Sequence, residues 1–277
     1  MSGPADRTEG LEPGEARASD RADTDLFGRT PRGRGDWSHR RAEPRGLLAI
    51  WMLFLCAAAA TALGPLTFGG PQGPTAFRPA SRLLLVLIAT GAGVLYPLVR
   101  LSQEAARRPL RAALHDLAVL LAPASVVVIT SGHRLARWPL EVALAAGAVL
   151  AAWTLVVVGL ATLALAGLGS SRSPGWRGAA ALACVAATLG GLALAAPTLR
   201  APGAPPTITR RPTPGWMVSA PGAMYEVVRD RAWTGRFAAV SGGHWRSIAL
   251  TSGAGLALLG AAGAVARARV VAQPGPR

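Results

Sequence analysis

Apolar and polar stretches alternate along this chain on the length scale of a membrane rather than of one helix face. Apolar runs lie at about Gly46–Leu66, Arg82–Leu101, Ala112–Thr130, Pro139–Leu168, Gly178–Pro197 and Ser247–Ala266. Each of the six has roughly the 20 apolar residues that a helix needs to cross a ~30 Å hydrocarbon core. The pattern predicts an all-α, polytopic integral membrane protein. Its six-helix transmembrane bundle would occupy residues 46–270, with tails at 1–45 and 271–277.

The two longest polar stretches read differently from each other. Residues 1–45 hold nine of the 14 acidic residues and nine of the 29 Arg, with many Gly, Pro, Ser and Thr. Too little apolar surface is available there to bury a core, so a disordered tail is expected. Residues 198–246 form a long segment before the last run. Its Ala201–Pro214 part is rich in Pro and Thr and reads as extended. Ser219-Ala-Pro-Gly then predicts a helix start, with Ser219 as N-cap and Pro in the first turn. Over Gly222–Trp233, Ala223, Met224, Val227, Val228 and Arg231 share one face, and Glu226, Arg229 and Asp230 the other. With Tyr225 and Trp233 as headgroup-level aromatics, this predicts a short amphipathic helix lying on, or dipping into, the outer leaflet. A loop helix packed on the bundle is the alternative.

Composition narrows the function classes. Charged residues make up 16% of the chain, below the ~25% of soluble domains. Every basic residue is Arg. A chain without Lys can hold neither a GxxxxGK[ST] phosphate loop nor a Lys Schiff base. Any ATP it uses would be bound by another chain. The formal net charge of +15 raises nucleic acid as a partner. Beyond residue 45, however, the Arg residues gather at the ends of apolar runs, where they anchor in the lipid interface and set topology. Lipids, not nucleic acid, are the expected contact.

Arg is richer in the tail, in residues 102–111, in residues 169–177 and at the C-terminus than in the short segments carrying Arg78, Arg82, Arg134 and Arg137. This predicts a multi-pass protein of the cytoplasmic (inner) membrane with both termini in the cytoplasm. Ala60-Thr61-Ala62 resembles a cleavage site, but the basic region ahead of it is too long for an ordinary signal peptide. The first run is therefore read as a retained span.

Few polar residues fall inside the runs. His115 and Asp116 lie about one turn into the third and are the intramembrane candidates for transport or proton transfer. As neighbours they point about 100° apart, so one is expected to face a partner helix and the other the interface. Glu141 suits the first turn of a helix after Pro139. His133, His244 and Glu141 come from three separate segments, and nothing in their spacing demands a metal site. No catalytic residue, metal or cofactor is assigned. Cys56 and Cys184 read as small buried hydrophobes. Pro97 and Pro123 each remove a helix hydrogen bond. Small residues align at Ala179, Ala183, Ala187 and Gly191, and at Gly253, Ala257 and Ala261, forming faces where helices could approach closely.

This layout resembles the permease subunit of type-2 ABC transporters, the exporter class. The resemblance lies in six spans, cytoplasmic termini and a long outer segment before the last span. The short charged loop Ser102-Gln-Glu-Ala-Ala-Arg-Arg-Pro-Leu-Arg111 stands where that family contacts its ATPase. Pro221 to Trp233, followed by Gly243-His-Trp-Arg-Ser247, stands where the family has short outer helices. Residues 31–45, rich in Arg, Gly and Pro, do not supply the amphipathic helix that usually precedes its first span. The resemblance implies a transport component, doubled as a homodimer. A separate ATPase subunit would bind at Glu104, Arg107 and Arg108. The other readings are a non-enzymatic membrane scaffold or assembly factor, and an intramembrane enzyme using His115 and Asp116.

Overall fold

Proline opens most of the helices. It stands first in α1 (Pro44–Thr67), α2 (Pro74–Ser102), α3 (Pro109–Ile129) and α5 (Pro174–Arg200), and Pro139 immediately precedes α4 (Leu140–Leu168). The first N–H groups of a helix have no partner within it, so a residue lacking that group fits there without loss. A short α6 (Ala220–Val228) and a long α7 (Gly242–Ala272) complete the order. The structure, a computed structural model, describes residues 44–67, 73–103, 106, 108–168, 174–200, 212, 215–229 and 238–272. The tail up to residue 43, the stretch 201–211 and residues 230–237 lie outside the described residues. All regular structure among the described residues is helical.

The chain is a multi-pass membrane protein. Among the described residues, five helices are long and apolar enough to cross a bilayer, over Arg45–Leu66, Ala76–Ser102, Pro109–Leu135, Leu140–Gly167 and Gly242–Arg269. The fifth apolar run of the sequence is the shorter case. Helix α5 has 27 residues, but its apolar stretch among the described residues is Arg177–Gly191. It still follows α2 in the opposite direction: Arg177 meets Gln103, and Thr188 meets Gly93.

Tight approaches and shared polar groups join the helices. A Cβ on Gly255 of α7 would lie 2.8 Å from the Val156 nitrogen of α4. One on Gly159 would lie 2.8 Å from Leu258 Cβ. The α4 and α7 backbones therefore cross where only glycine fits, as small residues permit in lipid. The faces expected from Gly253, Ala257 and Ala261, and from Ala179, Ala183 and Ala187, point outward instead; only Gly191 of those positions is buried. Cys56 is likewise exposed, and Cys184 half-buried.

One proline, Pro97, is accommodated from a neighbouring helix. Pro97 leaves the Gly93 carbonyl without its intrahelical donor, and the Thr188 hydroxyl of α5 lies 3.3 Å from that oxygen. The buried Trp51 of α1 donates to the Leu120 carbonyl of α3 at 3.0 Å, a tie between two helices. Helix α3 does not stop at Ile129 but widens into a π-type turn, Thr130–Leu135. Arg137 follows in the left-handed region, at φ 51°. It is held between the Ala136 N–H to Ser131 carbonyl bond and the Trp138 N–H to Gly132 carbonyl bond, each 3.0 Å.

Candidate functional site

Charged side chains enter the bundle at both ends. At one end, Tyr96 and Arg100 stand one turn apart on α2 and face Asp116 of α3. Arg100 Nε lies 2.8 Å from Asp116 Oδ2, and the Tyr96 hydroxyl donates to the same oxygen at 3.0 Å. Both ionic side chains are under 10% exposed, at 6% and 9%. Arg100 also donates to the Gln103 side chain at 3.2 Å, and Arg177 of α5 donates to the Gln103 carbonyl at 3.2 Å. A carboxylate in apolar surroundings requires such pairing. Here one cation and one phenol supply it, and α2, α3 and α5 are tied together beneath the 103–108 loop.

Asp116 thus faces a partner helix, while its neighbour His115 is exposed. The two do not act as one site. Arg108 is exposed beside the loop, whereas Glu104 and Arg107 lie outside the described residues.

At the opposite end the structure matches the second of the two readings of the amphipathic segment, a helix packed on the bundle. Helix α6 starts as expected, with the Ser219 side chain accepting from the Gly222 N–H at 3.3 Å. Ala220 to Met224 and Glu226 to Val228 are all buried, and the helix packs among α2, α4 and α5. Glu226, assigned to the polar face, is 1% exposed. The reason is local pairing. Arg229, at the end of α6, meets both oxygens of Glu226, with Nε 2.9 Å from Oε2 and Nη2 3.1 Å from Oε1. This leaves a helix apolar enough on every side to enter the bundle. Arg82 of α2 donates from Nε to the Val228 carbonyl at 3.3 Å, and its guanidinium lies 5.7 Å from the Tyr225 ring centre. A cation on the last carbonyls of a helix suits their partial negative charge.

His244, in the first turn of α7, is fully buried beside this cluster. Its Nε2 lies 3.9 Å from Glu226 Oε1, and its ring meets Trp216 edge-on at 5.0 Å. Its Nδ1 accepts the Ser241 N–H at 3.2 Å and lies 2.9 Å from Ser241 Oγ.

His133, His244 and Glu141 are not brought together. His133 is exposed and bonds the Trp138 carbonyl at 3.2 Å, and Glu141 is exposed on α4. Among the described residues, no three of His, Cys, Asp and Glu converge on a point where an ion could sit.

Sequence reading named Asp116 but missed its partners. A signal was present: Arg100 lies eight residues before Arg108, and Asp116 eight after it. A hairpin turning near residue 108 brings such positions level, with Tyr96 one turn behind. Glu226 and His244 had no comparable signal, because their meeting depends on the burial of α6. No family, curated protein or solved structure matches this chain.

Proposed function

We propose that this chain is the membrane subunit of a transporter, built on the plan of an exporter permease, with ATP hydrolysed by a separate subunit. The observation that carries this reading is α6. A short helix between α5 and the last long helix brings a charged side chain into the bundle, surrounded by three other helices. Chain breaks at membrane depth are tolerated only where protein or a water-filled cavity surrounds them, and transporters build their sites from such short helices. The anchored base of the 103–108 loop supports the second half of the reading, since a docking loop must transmit force to α2 and α3. In this reading both termini and that loop face the cytoplasm, on the side richer in Arg. The ATPase then contacts Glu104, Arg107 and Arg108, and two copies of the chain form the path.

Purification from the native membrane in mild detergent tests this. A phosphate-loop ATPase at stoichiometric amount is expected, and it should be lost when Glu104, Arg107 and Arg108 are all replaced by Ala. A stable partner with no ATPase would overturn the transport reading in favour of a membrane scaffold or assembly factor. That second reading has its own support: Asp116 is paired so completely that its pair serves to hold helices together.

A further inference from the structure

We propose that the edge between α3 and α7, at the end of the bundle that holds Asp116, binds an anionic phospholipid, with Arg111 and Arg267 holding its phosphate. The proposal does not rest on the transport reading. Leu110, in the first turn of α3, fixes the place: a Cβ on Gly263 of α7 would lie 2.8 Å from Leu110 Cδ1. Arg111 is the next residue of α3. Arg267 stands four residues past Gly263, one turn nearer the end of α7 and on the same face. Two helices thus bring one guanidinium each to one edge. Both side chains are exposed, and among the described residues neither makes an ion pair or a hydrogen bond.

The surroundings select the charge of the ligand. Arg108, exposed one turn before Arg111, and His115, exposed one turn after it, continue the row on α3 at spacings of three and four. Asp116 is the carboxylate described at this end, and it is closed off with Arg100 and Tyr96. Glu141 and Glu226 stand at the opposite end. Arg269 is engaged with the Gly167 carbonyl of α4, and Arg177 with the Gln103 carbonyl. Among the described residues, no exposed carboxylate at this end balances the row.

The apolar part of the edge selects an amphiphile over a free anion. Toward the bilayer centre, Leu114 of α3 is 64% exposed, and Leu256 of α7 is 59% exposed. Leu114 lies one turn from Leu110, on the side that meets α7. Between the levels of Arg267 and Leu256, Gly260 has no side chain, and nothing lies within 4 Å of where its Cβ would be. An acyl chain fits that gap beside Leu114, while the phosphate of the same lipid meets arginine at the helix ends. Paired phosphate oxygens match the fork of a guanidinium. A choline lipid carries that phosphate too, but with an ammonium group that the arginines repel. A headgroup of the phosphatidylglycerol type brings the negative charge alone.

Native mass spectrometry of the full chain in dodecyl maltoside tests this, with dioleoyl phosphatidylglycerol or dioleoyl phosphatidylcholine added at equal concentration. The first bound phosphatidylglycerol should be retained roughly 20-fold more tightly than phosphatidylcholine, the effect of two arginines at about fivefold each. Arg111→Gln and Arg267→Gln should each reduce that preference about fivefold, and the double variant should abolish it. These variants replace exposed side chains, so the fold is expected to persist. Arg134→Gln, exposed at the opposite end, should leave the preference unchanged. Excess glycerol phosphate should not displace the lipid. Equal retention of the two lipids by the parent chain would overturn the proposal and assign the edge to a protein partner. An equal loss in Arg134→Gln would overturn it as well, since the preference would then follow net charge and not a site. Displacement by glycerol phosphate would make the edge a site for a free phosphate ester and contradict the lipid assignment.

Discussion

The two ends of the bundle each bury a carboxylate, and they do so to different effect. Asp116 is met by a permanent cation and a phenol, both from α2, in a knot whose ionic side chains are almost closed to solvent. Glu226 is met by Arg229, whose side chain is 24% exposed, and by an imidazole 3.9 Å away. The first arrangement joins three long helices. The second lies between the cap of α6 and the first turn of α7. A carboxylate closed off with a permanent cation fixes structure; one whose cation reaches solvent is held less firmly.

The sharpest break of this comparison comes from Asp116→Ala. Removing one member of a buried pair leaves Arg100 charged and unpaired, and should cost about 3–5 kcal/mol of stability. Arg100→Leu combined with Asp116→Leu should recover most of that loss, because two apolar groups need no partner. Unfolding in denaturing detergent checks both. A single variant as stable as the parent would contradict the structural role of the knot.

Gly255→Leu lies between the ends and strikes the α4–α7 crossing. Its side chain would press on the Leu155 and Val156 backbone, costing about 1–3 kcal/mol. The same unfolding assay should show the loss, and Gly253→Leu, with nothing within 4 Å of its Cβ, should show none.

Glu226→Gln should cost less than Asp116→Ala, at about 1–2 kcal/mol, because Arg229 can turn to water while Arg100 cannot. Equal losses would mean that the two ends are held alike. His115→Ala should change stability by no more than about 0.5 kcal/mol, as expected of an exposed site. A larger loss would show that His115 supports the Asp116 pair.

The legible part of this fold is the part that depends on local sequence. Apolar run length gave the long helices, Pro139 with Glu141 gave the start of α4, and Ser219 with Pro221 gave the start of α6. The Asp116 site was half legible. Its carboxylate stands out inside an apolar run, but Arg100, at the end of its own run, reads as an interface anchor like the other Arg residues there, whereas helix α2 runs on to Ser102 and carries it inward. Helix α2 also begins at Pro74, eight residues before the apolar run, with Arg78 bonded to the Ala136 carbonyl at 3.2 Å. Arginine there extends a span instead of ending it. The Glu226 site was not legible. Helical periodicity assigns Glu226, Arg229 and Asp230 to a polar face, yet Arg229 pairs with Glu226 from three residues away and lets that carboxylate be buried. The small-residue faces failed for a related reason: alanine suits lipid as well as it suits a helix partner, so its spacing does not reveal which one it meets.

The contrast between the ends depends on α6 lying inside the bundle. Cysteine labelling tests that most directly, in a chain with Cys56 and Cys184 replaced by Ala. Single cysteines at Ala223, fully buried on α6, and at Arg134, exposed at the same end, would be labelled with a charged maleimide in opened membrane vesicles. The account predicts that Ala223→Cys reacts slower than Arg134→Cys by roughly a hundredfold, since reaction must wait for α6 to open. Equal rates would place α6 on the membrane surface and dissolve the Glu226 cluster.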